Sequence, residues 1–259
     1  MKIRTRPNGA VRQLAYHLSG LAPRGHELTR LANRYGTDKG SGKRGHRYTR
    51  IYAELFEPLR KKPIRLLEIG LMGLRTGGWD NARLRDSGEA RGLDAPSLRL
   101  WTHYFPRAEI IGVDFNDFTS VRIPRCQIFQ ADASQPDDLL RVASEAGGEF
   151  DVIIDDASHA SDHQQITLGT LFPALKPGGL FIIEDLHVQP ADREPDGATK
   201  TADLLRRAEV TGEFRGSHLS ADGASYLDKH AERVALFDSL IRKSPIRHRD
   251  AIGVIWKRS

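Results

Sequence analysis

Five short apolar runs, each ending in an acidic residue or holding one close to its end, constrain the fold of this chain more than any other feature. They are "IRLLEIG" (64–70), "EIIGVD" (109–114), "CQIFQAD" (126–132), "FDVIIDD" (150–156) and "GLFIIED" (179–185). Runs of this length, rich in Ile, Val and Phe, read as strands. Helical patterns lie between them: "PSLRLWTHYF" with Pro96 in its first turn, "PDDLLRVASEA" opened by Pro136, and "DHQQITLGTLFPAL", which "KPGG" is expected to end. Strand alternating with helix predicts a parallel sheet covered on both faces. Two late runs, "VALFDSLIRK" and "AIGVIWK", are joined by the short "SPIRHRD" and should close the sheet as an antiparallel pair. The expected architecture is α/β: a doubly wound, seven-stranded sheet, mostly parallel, with its last strand antiparallel.

Helices precede the first strand. Val11, Leu14, Leu18 and Leu21 recur at helical spacing, as do Leu28, Leu31 and Tyr35, with Gly36 placed to stop the second helix. A glycine-rich basic loop, "GTDKGSGKRGH" (36–46), follows, and then "YTRIYAELFEPLR", whose Tyr48, Ile51, Tyr52, Leu55 and Phe56 make one apolar face. The chain is therefore divided into a helical segment with a basic loop, 1–62, and an α/β domain, 63–259.

Charge is divided along nearly the same line. Residues 1–65 hold 16 Lys and Arg against four acids, a net of +12, which leaves −7 for the rest of a chain whose total is +5. The basic front lacks the interleaved aromatics of single-strand binders, which argues against a nucleic-acid partner. Lone Cys126 excludes an internal disulfide and any multi-cysteine zinc site, and fits the reducing cytoplasm. No run approaches the roughly 18 apolar residues of a membrane span.

In an open sheet of this kind, ligands bind outside the carboxyl ends of the strands. Here those ends carry Glu68, Asp114, Asp132, Asp155 with Asp156, and Glu184 with Asp185. Any one acid could be a solvated cap, but five strand ends of one sign call for a partner. The first turn, "LEIGLMG", places Gly70 and Gly73 where backbone can approach a ligand. Asp114 is placed to accept the ribose hydroxyls of an adenosine, and Asp132 to reach its adenine amino group.

With "RYGTDKG", "HRYTRIYAELFEPLR", "LLEIG", "SLRLWTHYFPRAEIIGVD", "FDVIIDDASH" and "LFPALKPGGLFIIEDL" in view, the sequence resembles the class I S-adenosylmethionine (SAM)-dependent methyltransferases. More narrowly, it resembles the metal-dependent sugar O-methyltransferases of macrolide and tetracenomycin biosynthesis, the mycinamicin and macrocin type. The resemblance implies a Rossmann-like fold and cofactor contacts from Glu68, Gly70, Asp114, Asp132 and Asp155. Tyr48 and the preceding loop would fold over the cofactor.

Successive strand residues point to opposite sides, so adjacent Asp155 and Asp156 need not share a role. If the fourth and fifth strands are neighbours, Asp156 converges with Glu184 and Asp185, and three carboxylates at one point require a cation. Hard oxygen ligands favour Mg²⁺, with Mn²⁺ or Ca²⁺ as alternatives, and the resemblance carries the same metal roles onto these three residues. A sugar hydroxyl is a poor nucleophile until a cation stabilises its alkoxide, and His159, three residues after Asp156, is the candidate general base. His163 and His187 lie nearby without an assigned task. The stretch at 75–96, "RTGGWDNARLRDSGEARGLDAP", departs from the family pattern as an insertion beside the crevice. The expected substrate is a small-molecule glycoside or a glycan, and the amphipathic N-terminal helices are a candidate homo-oligomer contact. Two readings compete: a catechol-like phenol as acceptor, and a non-catalytic domain of the same fold binding a protein or RNA through its basic front.

Overall fold

The computed structural model describes residues 27–42, 45–71, 94–187, 197–238 and 251–259. The stretch Val11–Leu21, most of the 75–96 insertion and the "SPIRHRD" connection lie outside the described residues. In chain order the helices are α1 (Glu27–Tyr35), α2 (Thr49–Phe56), α3 (Pro96–Tyr104), α4 (Pro136–Glu145), α5 (Ser161–Leu171), α6 (Thr201–Thr211) and α7 (Ala221–His230). The strands are β1 (Arg65–Ile69), β2 (Glu109–Asp114), β3 (Cys126–Gln130), β4 (Phe150–Asp155), β5 (Leu175–Ile183), β6 (Ala231–Asp238) and β7 (Ala251–Lys257).

All seven strands form one sheet in the order β3-β2-β1-β4-β5-β7-β6. Pairings from β3 through β5 are parallel, and β7 runs antiparallel to both β5 and β6. The chain winds outward from β1 to β3 and then restarts with β4 on the other side of β1. Strand order therefore reverses between β1 and β4, the place where such sheets open a crevice. Among the described residues, no helix is long and apolar enough to cross a membrane.

Local sequence explains most of these boundaries. Gly36 ends α1 with a left-handed φ of +79° and a backbone bond to Ala32 O. Pro96 and Pro136 open α3 and α4, where a missing N–H costs nothing. "KPGG" is a correction: it does not end a helix. The helix stops at Leu171, a 3₁₀ turn follows at Phe172–Ala174, and Lys176-Pro-Gly-Gly lies inside β5. Pairing with β4 steps from Phe150↔Leu175 to Val152↔Leu180, so these residues form an irregularity, with Gly178 at φ +76°.

The core lies in two layers, one on each face of the sheet. Leu66, Val152, Ile154, Leu180 and Ile182 pack on the face shared with Leu28 and Leu31 of α1, Ile51 and Phe56 of α2, and Leu98 and Trp101 of α3. Leu67, Ile69, Ile153, Phe181 and Ile183 pack on the opposite face, against Leu139 of α4, Leu168 of α5 and Leu204 of α6. Neighbours in sequence thus go to opposite layers, as the two-residue period of a strand demands. Each fully buried large apolar side chain contributes about 1.5–3 kcal/mol, which makes this alternation a strong constraint on register.

Candidate active site

Carried past the strand ends, the same alternation sorts the acids. On the face of α1–α3, Leu66 is followed by Glu68, Ile154 by Asp156, and Ile182 by Glu184. On the other face Ile153 is followed by Asp155. Asp155 is accordingly turned toward α5, 2% exposed, with its carboxylate accepting from Thr167 Oγ1 and from Ala157 N at 3.3 Å. Burial pushes its pKa up, against the pull of those two bonds. Its carboxylate is not among those that meet Lys39, though it lies within electrostatic reach of His159 and His163.

Glu68, Asp156 and Glu184 converge instead on Lys39, which the loop after α1 delivers to the carboxyl edge. Its ammonium contacts Asp156 Oδ2, lies 3.0 Å from Glu184 Oε1 and 3.4 Å from Glu68 Oε1, and its side chain is 1% exposed. Burial alone would lower the lysine pKa, but Asp156, Glu184 and Glu68 outweigh it and raise it well above the usual value. Tyr52 Oη donates to the same Glu184 oxygen. Its ring is fixed 4.9 Å from Phe56 and 5.3 Å from Trp101. Burial nevertheless pushes Glu184 up to about 7, and raises Asp156 well above the carboxylate range. Both Glu68 oxygens are buried without a hydrogen-bond partner.

Asp185 breaks the alternation. Its backbone is left-handed, φ +52°, and so is that of His159, φ +59°. A non-glycine residue held there costs about 1–3 kcal/mol, and such residues cluster at functional sites. Tyr48 Oη donates to Asp185 Oδ1 at 2.5 Å, His46 Nδ1 and His187 Nδ1 lie 3.8 and 3.9 Å from that oxygen, and His159 Nε2 lies 3.6 Å from Oδ2. Burial works to raise the Asp185 pKa, yet His46, His159, Tyr48 and His187 together hold it below the usual value. His46 also stacks on Tyr48, ring centroids 5.3 Å apart.

Donor atoms of Asp156, His159 and Asp185 all lie within 4.8 Å of one another, as do those of His46, Asp185 and His187. Glu184 belongs to neither group; Lys39 and Tyr52 engage it. Gly70 (φ +91°) makes room for the backbone that leaves β4, since a Cβ there would lie 2.2 Å from Asp156 O. Asp114 accepts from Leu71 N at 2.8 Å and Asn116 N at 2.7 Å, while Asp132 accepts from Ser134 N at 2.9 Å. These two acids stand at the ends of β2 and β3, apart from the Lys39 cluster. His163 bonds Ser158 Oγ through Nδ1 at 2.8 Å.

Sequence reasoning missed Lys39, His46 and Tyr52. The first two belong to a loop read as basic and as a cover for the cofactor, with no task given to any one of its side chains, and Tyr52 was counted as one more apolar residue of its helix. The sole available signal was the parity of Glu68, Asp156 and Glu184, which puts three acids on the side where the N-terminal helices pack.

No family model matches the chain. It is 39% identical over 161 residues to a tetracenomycin rhamnoside 3'-O-methyltransferase of Streptomyces olivaceus, covering 62% of this chain and 37% of that protein. It is 34% identical over 207 residues to the L-olivosyl-oleandolide 3-O-methyltransferase of Streptomyces antibioticus, covering 78% and 49%. The mycinamicin VI 2''-O-methyltransferase of Micromonospora griseorubida is 34% identical over 169 residues, 65% of this chain and 38% of that one. The chain thus spans less than half the length of these curated relatives. Among solved structures, MycE from the mycinamycin pathway, in complex with Mg, SAH and mycinamycin VI, matches with a TM-score of 0.64 and 26% identity over 99% of this chain and 64% of that one. The chain has the methyltransferase fold of MycE and, over the matched residues, is a relative of the sugar O-methyltransferases of natural-product pathways.

Proposed function

We propose that this protein is a SAM- and Mg²⁺-dependent O-methyltransferase that acts on a sugar hydroxyl of a glycosylated small molecule. The observation that carries the reading is the cluster of Asp156, Asp185 and His159 at the ends of adjacent strands, beside the buried carboxylate of Glu68, which has the Lys39 ion pair but no hydrogen bond. Its support from outside the chain is the shared chemistry of the relatives, all named as O-methyltransferases of sugar-bearing natural products.

The donor set fits both groups. The carboxylates suit a hard divalent cation, with Asp156 and Asp185 as its principal ligands, Glu184 behind them, and the His159 imidazole left to take a proton. Glu68, whose buried oxygens lack a hydrogen-bond partner, suits a cationic ligand such as SAM, with Gly70, Asp114 and Asp132 along the same edge. When bound, the cation supplies Lewis acidity at an acceptor hydroxyl and SAM supplies the electrophilic methyl.

The chain's own residues then have distinct tasks. His159 Nε2 accepts the hydroxyl proton, and Asp185 Oδ2, 3.6 Å away, opposes the charge the imidazole acquires. Tyr48, fully buried, holds Asp185 by its other oxygen, so that Oδ2 keeps its orientation. The described residues between α1 and the middle of α2 serve this site, since Lys39, His46, Tyr48 and Tyr52 all come from them.

Transfer of labelled methyl from SAM to a panel of plant and bacterial glycosides tests the reading. Product should form with Mg²⁺, vanish with EDTA and return when Mg²⁺ is restored. Equal transfer with EDTA present would sink the metal dependence.

A further inference from the structure

Lys39 is a buried charged group for which the proposed reaction has no use. Three carboxylate oxygens from three different strand ends, Glu68 Oε1, Asp156 Oδ2 and Glu184 Oε1, surround its Nζ. Three hard oxygens facing one point is the arrangement a divalent cation takes. Here an ammonium fills it, and the chain keeps it there. Lys39 O accepts from Thr49 N at 3.0 Å, Gly40 O from Arg47 N at 2.8 Å, and Asn33 Oδ1 from Ser41 N at 2.9 Å. The backbone on both sides is tied to α1 and to the start of α2, and a side chain 1% exposed has no space to swing aside.

We infer that Lys39 is a tethered cation, occupying the place a second divalent ion would take among Glu68, Asp156 and Glu184. The inference rests on reading the acidic edge as a cation centre. The ammonium keeps the three carboxylates from repelling one another with a single fixed charge. It also confines an incoming ion to the side of Asp185 and His159.

The test counts Mn²⁺ bound per chain, by the electron paramagnetic resonance of free Mn²⁺, in the wild type, Lys39→Met and Lys39→Arg. Mn²⁺ accepts the same oxygen donors as Mg²⁺ and can be counted directly. Lys39→Met should bind one more ion per chain than the wild type, and Lys39→Arg, which keeps the charge, the same number. A double variant, Lys39→Met with Glu68→Gln, removes one of the three oxygens' carboxylates and should lose the extra ion. An unchanged count in folded Lys39→Met overturns the inference. Should Lys39→Met unfold without metal, saturating Mn²⁺ should restore its melting transition, and a chain that stays unfolded in Mn²⁺ also overturns it. The two readings fail separately: wild type binding one ion and Lys39→Met no more removes only the tethered cation. Wild type binding none while Lys39→Met binds one removes only the ion at Asp156 and Asp185.

Discussion

The carboxyl edge of the sheet has two poles that differ in how their negative charge is balanced. At one, Glu68, Asp156 and Glu184 close around a lysine, and the charge is neutralised from within the chain. At the other, Asp185 is ringed by His46, His159 and His187 with Tyr48 beneath it, groups that can exchange a proton or give place to an ion. Asp156 belongs to both, touching Lys39 on one side and standing within 4.8 Å of Asp185 and His159 donors on the other. The difference teaches that an acidic edge is not one site. A fixed cation makes the first pole a scaffold, and its absence makes the second a place for chemistry.

Breaking the shared member should have the largest effect. Asp156→Asn is expected to reduce Mg²⁺-dependent turnover about a thousandfold, the several kcal/mol that a bound cation contributes to a developing alkoxide. Binding of S-adenosylhomocysteine (SAH) should persist within a few-fold, and turnover kinetics beside calorimetry would check both halves. His159→Ala acts on the second pole alone. It should lower turnover on the order of a hundredfold, the usual contribution of a general base, while Mn²⁺ and SAH still bind.

A pH series sharpens the contrast. Burial places Glu184 at about 7 in the folded protein, above the roughly 4.3 of an unfolded glutamate. Over that window the metal-free native state keeps a proton that the unfolded chain has released, so metal-free stability should fall as pH rises through it. Metal-free melts at pH 5, 6 and 7 would show the slope, and a melting temperature that rises across them would refute the assignment. The smallest effect is expected at Asp155, outside both poles. Thr167→Val removes a hydrogen bond to a buried carboxylate and should cost about 1.5–3 kcal/mol of stability, read as a lower melting temperature, with SAH affinity unchanged.

How far the sequence could be read depended on the range of the interaction involved. The separation of Asp155 from Asp156 was legible because strand alternation is local, and "FDVIIDD" carries the period on its face. The parallel direction of β1 to β5 and the antiparallel β7 followed from strand–helix alternation and connection length, while the strand order did not. Lys39 was not legible, since its contact with Asp156 joins residues 117 apart and Tyr52 meets Glu184 across 132. Nothing within a local window ties a basic loop to a particular carboxylate. Asp185 was legible as a partner of Asp156, but the left-handed backbone that sets it beside His159 was not, since an aspartate gives no sign of it in sequence. "KPGG" misled because Pro-Gly is a common helix terminator, while here the same residues serve an irregular strand pairing.

The central claim is that this edge holds SAM beside a divalent cation, and it can be tested without knowing the acceptor. Calorimetric titration of the full chain with SAH, in the presence of Mg²⁺, should give one saturable site per chain, weakened at least about tenfold by Asp114→Asn through loss of the ribose hydrogen bonds proposed for its carboxylate. No heat and no protection from thermal unfolding, in a folded sample with Mg²⁺ present, would contradict it.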